Sequence, residues 1–271
     1  MDVQATDTAF AGSIPEVYDA CLVPMIFEPY AVDLVRRITA HRPLRVLEIA
    51  AGTGVVTRAL AAALRDAHIV ATDLNPAMLE RAARIGTGRP VEWRQADAMQ
   101  LPFGDGTFDA VVCQFAAMFF PDKAAAYAEA RRMLAPGGLF VFNVWDRIEA
   151  NAFADCVTST LAGLFPENPP RFLARVPHGY HDAGVIARDV ARGGFANAPS
   201  IETVALRSRA DAPRLPALAY CQGTPLRNEI EARGADALAK ATTACEDGLA
   251  ARFGSGAIEA PIQAHVVAVT A

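Results

Sequence analysis

The sequence predicts an α/β protein, a mostly parallel sheet with helices on both faces, and three observations carry that expectation. From about Leu44 to Trp145, short apolar runs alternate with stretches of helical periodicity, the order that parallel strands joined by crossover helices require. One run, residues 110–115, is almost continuously apolar, as a strand buried on both faces tends to be. The first run ends in Gly52-Thr53-Gly54, a glycine turn that leads from a strand into a helix.

Taken in order, residues 45–50 read as the first strand and 55–65 as its helix. Residues 69–72 form the second strand, and 76–84 a helix with Pro76 in its first turn, where the missing N–H does no harm. The third strand is 91–95 and the fourth 110–115. A helix over 124–134 is stopped by Pro136, Gly137 and Gly138, and the fifth strand follows at 139–144. Beyond Trp145 the pattern loosens. Residues 152–164 read as a helix, 166–177 as an irregular Pro-rich stretch, and 184–191 as a helix ending at Gly193-Gly194, with Asp182 able to serve as its N-cap. Residues 201–207 and 262–269 read as the last two strands. Between them, 211–256 is an insertion with helical patterns over 225–233 and 235–253. This insertion and another over about 147–181 are expected to cap a pocket.

Composition bounds the function. The chain has 271 residues, 52% of them hydrophobic and 20% charged, with a net charge of −5. No basic run of the kind that binds nucleic acid is present, and Asp182 and Asp189 dilute the densest arginine stretch, Arg171 to Arg192. No segment reaches the ~20 apolar residues of a membrane span, and residues 1–20 lack the charged and apolar regions of a signal peptide. The five cysteines are far apart, without CxxC or Cys/His ligand spacing, so reduced thiols in a cytoplasmic protein are expected and no metal site is.

Chemistry concentrates in five segments. Glu48 lies in the first strand, before Ala50, Gly52 and Gly54. An acid there would repel a pyrophosphate but suits an ammonium group. Asp73 ends the second strand, 21 residues after Gly52, where a carboxylate can accept two hydrogen bonds from a ribose diol. Asp97, in Gln95-Ala96-Asp97-Ala98-Met99, can accept from an adenine amino group. Phe108-Asp109-Ala110-Val111-Val112 and Leu134-Ala135-Pro136-Gly137-Gly138 complete the set.

In this order the segments resemble the class I S-adenosylmethionine-dependent methyltransferases, and most nearly the branch with quinone-biosynthesis C-methyltransferases and small-molecule O- and N-methyltransferases. The resemblance covers about residues 44–146. Ala50 departs from it, standing where the family usually has the first glycine of the loop. The resemblance implies a Rossmann-like seven-stranded sheet with an antiparallel last strand and S-adenosylmethionine as cofactor. Glu48, Ala50, Gly52 and Gly54 would cradle its methionine end, Asp73 the ribose, Leu74 and Met78 the adenosine, and Asp97, Ala98 and Met99 the adenine. Gln114 and Phe115 would face the methyl donor. Tyr18 resembles a position that closes over the cofactor, in an N-terminal helical segment (residues 1–43) lying over the site of a methyltransferase domain at 44–271.

The acceptor side is less defined. Val176-Pro177-His178-Gly179-Tyr180-His181-Asp182 gathers His178 and His181, either of which can act as a general base or simply end a turn. Tyr18, His178 and His181 are the catalytic candidates, and Tyr220, Gln222 and Arg227 can orient a substrate or line an exposed loop. Phe115, Met118, Phe119 and Phe120 suggest an apolar small-molecule acceptor and equally suit a core. A monomer or homodimer is expected. Two other readings stay open: a cofactor-binding regulatory protein without catalysis, and a nicotinamide-dinucleotide enzyme, against which Glu48 and Asp97 argue.

Overall fold

The computed structural model describes residues 5–8, 10 and 12–271; the other residues of the expected N-terminal segment lie outside the described residues. In chain order the helices are α1 (Ile14–Val17), α2 (Glu28–Ala40), α3 (Val55–Ala63), α4 (Pro76–Ile85), α5 (Lys123–Met133), α6 (Ala152–Leu164), α7 (Phe172–Arg175), α8 (Ala183–Arg192), α9 (Arg214–Gln222), α10 (Leu226–Glu231) and α11 (Ala237–Phe253). The strands are β1 (Arg45–Glu48), β2 (His68–Asp73), β3 (Glu92–Gln95), β4 (Phe108–Gln114), β5 (Leu134–Trp145), β6 (Ser200–Ala210) and β7 (Ile258–Thr270). Two compact units share them. One comprises Glu28–Val144, His181–Val204 and His265–Ala271; the other comprises the described residues up to Phe27 with Trp145–Tyr180 and Ala205–Ala264.

The seven-stranded sheet has the order β3-β2-β1-β4-β5-β7-β6, and β1 to β4 lie wholly in the first unit. The pairs β3–β2, β2–β1, β1–β4 and β4–β5 are parallel. Strand β7 runs antiparallel to its neighbours. Gly137 and Gly138 of β5 bond Ala271 whereas Asp146 bonds Gln263, and Asn197 meets Thr270 whereas Thr203 of β6 meets His265. Alternation along β5 builds two cores. Val141 turns to one face and joins Val46, Ala110 and Val112 under Leu34 and Ile38 of α2 and Val56 and Leu60 of α3. Phe140 and Phe142 turn to the other, stacking 4.9 Å apart against Tyr127 of α5, and Phe140 stacks on Phe195 as well.

Caps fall where the side chains dictate. Asn75 accepts from the Ala77 N–H ahead of Pro76 at the start of α4, and Asp182 accepts from the Val185 N–H at the start of α8. Strand β5 begins earlier than the sequence predicts. Leu134 already pairs with Phe108, and Leu139 is next in register, with Ala110. Residues 135–138 therefore bulge out of the ladder, which the positive φ of Gly137 permits (75°).

In the other unit, α11 packs on α6 and α9. Phe153 meets Phe253 edge to face, and the sulfurs of Cys221 and Cys245 lie 3.8 Å apart. Arg175 of α7 grips buried Asp7 with two bonds of 2.7 Å and reaches Glu229 at 2.9 Å. Residues Tyr18–Phe27, within the N-terminal segment expected to be helical, wind as a π-helix around Pro24. No described helix is long and apolar enough to cross a membrane.

Candidate functional site

The carboxyl ends of β3, β2, β1 and β4 stand side by side, and an open α/β sheet binds ligands along this edge. After β1 the Ile49 N–H still bonds the Val112 carbonyl and the Ala51 N–H the Thr72 carbonyl, at 2.9 and 2.8 Å. Between and beyond these ties the chain turns through left-handed backbone at Ala50 (φ 55°), Gly52 (φ 57°) and Gly54 (φ 82°). Gly54 has a second constraint: a Cβ there would sit 2.8 Å from the Trp93 ring and 3.2 Å from Ala82. Ala50 takes the same conformation without a glycine's freedom, at a cost of roughly 1–2 kcal/mol. Within the turn, the hydroxyl oxygen of Thr53 is buried and has no hydrogen-bond partner. A polar atom so placed costs roughly 1–3 kcal/mol until something bonds it.

Two carboxyls flank this turn, Glu48 buried and Asp73 half-buried. Glu48 is 1% exposed and accepts a 2.5 Å hydrogen bond from the Thr57 hydroxyl on the first turn of α3. Burial pushes its pKa up to about 8; the Asp73 charge adds to the rise, and Thr57 and Arg58 oppose it. Asp73 joins two elements, accepting from the Gly52 N–H through one oxygen and from the Asn75 N–H through the other, each at 2.8 Å. Burial raises its pKa as well, against those backbone donors. Beside it Leu74 is 57% exposed, an apolar side chain on the surface next to a carboxylate, whereas Met78 is buried in α4. Asp97 lies past β3 and accepts from the Met99 N–H at 2.9 Å, closing a turn that contains Ala98.

At the end of β4, Gln114 pairs in register with Asn143 of β5. Phe115, next in the chain, is left-handed too (φ 50°), an uncommon conformation for an aromatic residue. Its N–H donates to both the main-chain oxygen and the Oδ1 of Asn143, at 3.2 and 2.9 Å, and its ring packs edge-on against Tyr30, 5.2 Å away.

The fold thus brings Glu48, Ala50, Gly52, Gly54, Asp73, Leu74, Asp97, Ala98, Met99, Gln114 and Phe115 to one sheet edge. His181, also in this unit, precedes the cap of α8. Tyr18 and His178 belong to the other unit. Tyr18 stacks on Phe27 at 4.9 Å, and buried His178 sets its Nδ1 2.8 Å from the Asp146 carbonyl oxygen. Burial raises the pKa of Tyr220. Gln222 donates to Thr242, and Arg227 to Ser13 and Glu231, so both tie helices together. Thr53, Thr57 and Asn143 were not singled out from sequence. Thr57 carried a signal, two turns of chain past Glu48 on the helix the loop opens; a lone Asn in an apolar strand carried none.

A cofactor with an ammonium group, a diol and a flat heterocycle fits this edge. The turn is folded back to let a ligand approach, Thr53 offers an unused hydroxyl, and Glu48 is an acid awaiting a cation. Comparison with known proteins agrees. Residues 47–142 match the family model described as a methyltransferase domain. The demethylmenaquinone methyltransferase of Thermus thermophilus is 43% identical over 113 residues, covering 41% of this chain and 50% of that protein. The enzyme of the same name from Deinococcus radiodurans is 38% identical over 104 residues, 38% of this chain and 43% of that protein. The chain therefore matches at most about half the length of these relatives. Among solved structures, the YcgJ protein of Bacillus subtilis superposes with a TM-score of 0.56 at 18% identity, covering 89% of this chain and 97% of that one, a likeness of fold.

Proposed function

We propose, for a chain whose residues 47–142 form a class I S-adenosylmethionine-dependent methyltransferase domain, that it transfers a methyl group from this cofactor to a small apolar acceptor. One observation carries the reading: acidic Glu48 and Asp73 bracket the left-handed turn at 50–54, one buried beneath it and the other bonded to its Gly52 N–H. S-adenosylmethionine, when bound, supplies a methyl group activated by its sulfonium charge. The chain's work is then to bind, align and exclude water. Glu48 holds the ammonium group, Thr53 donates its hydroxyl to the carboxylate, and Asp73 accepts from the ribose through the lone pairs its backbone ties leave over. Leu74 covers one face of the adenine, and Asp97 with the backbone of Ala98 and Met99 reads its edge.

Where the acceptor must lose a proton, Tyr18, His178 and His181 are the candidates. With Nδ1 of His178 facing a carbonyl oxygen, that nitrogen carries the proton in the neutral ring, and the basic lone pair is on Nε2. Five free cysteines support a reducing, cytoplasmic setting.

The test is calorimetric titration with S-adenosylhomocysteine, the product form of the cofactor. Micromolar affinity is expected in the intact protein, with a loss of about tenfold to a hundredfold in Asp73→Ala, as one to two charge-assisted hydrogen bonds are removed. A folded protein that binds none of it refutes the proposal.

A further inference from the structure

The side-chain amide of Asn143 is half used. Asn143 is fully buried in β5, and its Oδ1 accepts from the Phe115 N–H at 2.9 Å. That bond fixes which way the amide is turned, because an NH2 group in the same place could not accept it. The Nδ2 atom is then a buried donor with no hydrogen-bond partner. Asn143 shares a sheet face with Val141 two residues before it and with Gln114 across the ladder. It therefore lies on the α2 side of the sheet, at the carboxyl end of β4, beside the strained Phe115 that it braces.

We infer that Asn143 is a specificity-determining residue of the acceptor site, and that its Nδ2 hydrogen-bonds an oxygen of the acceptor. The inference rests on the methyl-transfer reading. An amide nitrogen only donates, so the matching atom must carry a lone pair: a phenol, enol or their anions fit, and a protonated amine does not. The carboxylate of the cofactor has the same chemistry and is the competing source. It belongs at the turn after β1, and β4 lies between β1 and β5. The apolar side chains of Phe115 and Met118 next to β4 suit an oxygen carried on an aromatic or otherwise apolar frame. Asn143 then has two tasks, holding the turn after β4 through Oδ1 and selecting the acceptor through Nδ2.

The direct test is the side-chain amide resonance pair of Asn143, in protein labelled with 15N at asparagine. The pair is assigned by its absence from Asn143→Asp or, if that variant does not fold, from Asn143→Leu. In protein saturated with S-adenosylhomocysteine, 2-naphthol is expected to shift this pair saturably, and naphthalene, which lacks the oxygen, is not. Asn143→Asp, which keeps an acceptor for the Phe115 N–H and removes the donor, should weaken 2-naphthol binding at least tenfold. If S-adenosylhomocysteine alone moves the pair and 2-naphthol adds nothing, the donor serves the cofactor and the inference is overturned. If neither 2-naphthol nor the enol 2-hydroxy-1,4-naphthoquinone moves it, the donor serves no acceptor oxygen and the inference again fails, with the methyl-transfer reading intact. Protein that binds no S-adenosylhomocysteine brings down both.

Discussion

Glutamine at position 48 keeps the size of Glu48 and a hydrogen bond to Thr57 and removes the group's ionisation. In the folded chain this acid has a pKa of about 8 against an ordinary 4.5, so the native state holds the proton more tightly than the unfolded state does. Its contribution to stability is whole below pH 4.5, declines as pH rises, and is spent once pH passes about 8. The slope is about 1.4 kcal/mol per pH unit, so wild type should lose about 2–3 kcal/mol between pH 6 and 8 that Glu48→Gln does not. For a chain of this length that is on the order of 5 °C in melting temperature. Melting both proteins without ligand at pH 6, 7, 8 and 9 measures it, since the other titrating groups cancel in the difference. Melting curves that stay parallel across this range would refute the buried, protonated acid. Cofactor binding should reverse the balance, because pairing with an ammonium group requires the carboxylate. Titrating S-adenosylhomocysteine at pH 7 in phosphate and in Tris should therefore show release of nearly one proton, absent in Glu48→Gln. Equal heats in the two buffers would mean that Glu48 does not meet the ammonium group.

Other positions test the packing. Ala50→Gly should raise stability by about 0.5–1 kcal/mol, the left-handed strain relieved less the extra chain entropy of glycine; a lower melting temperature would contradict it. Gly193→Ala places a Cβ 2.6 Å from that of Tyr127 and 3.1 Å from backbone, so a loss of about 2 kcal/mol or more is expected in denaturant melts. An unchanged midpoint would show that α8 shifts freely. Arg175→Ala removes two 2.7 Å bonds to buried Asp7 and a 2.9 Å bond to Glu229, and should cost about 3 kcal/mol. An unchanged melting temperature would contradict it.

The half of the chain that carries the motifs was readable because its signals are local. Pro76 at a helix start, Asp182 three residues before the N–H it caps, and glycines after an apolar strand each state their role within a few positions. The misreadings have physical causes. The fifth strand was placed at Leu139 because Pro136-Gly137-Gly138 looks like an end, whereas the ladder resumes on both sides of a bulge. Helix α9 went unread because Pro216 falls in its first turn, where it is harmless, and α7 because four residues show no period. Asn75 caps α4, whereas Asp73 beside it holds the glycine loop through the Gly52 N–H. Positions 50 and 115 share a left-handed backbone that nothing in Ala or Phe announces. The unused donors of Thr53 and Asn143 exist only once neighbours have been placed around them.

The strand order β5-β7-β6 has a consequence for synthesis. Strand β5 ends at Trp145 and β6 at Ala210, but the strand that lies between them does not begin until Ile258. A chain emerging from the ribosome therefore carries two open strand edges while 47 residues pass between β6 and β7, and neither edge can pair with the other in the final order. Exposed edges of this kind invite pairing with a neighbouring chain. Slowing translation between Asp211 and Ala257, or removing β7, should raise aggregation of nascent chains more than an equal change before β1.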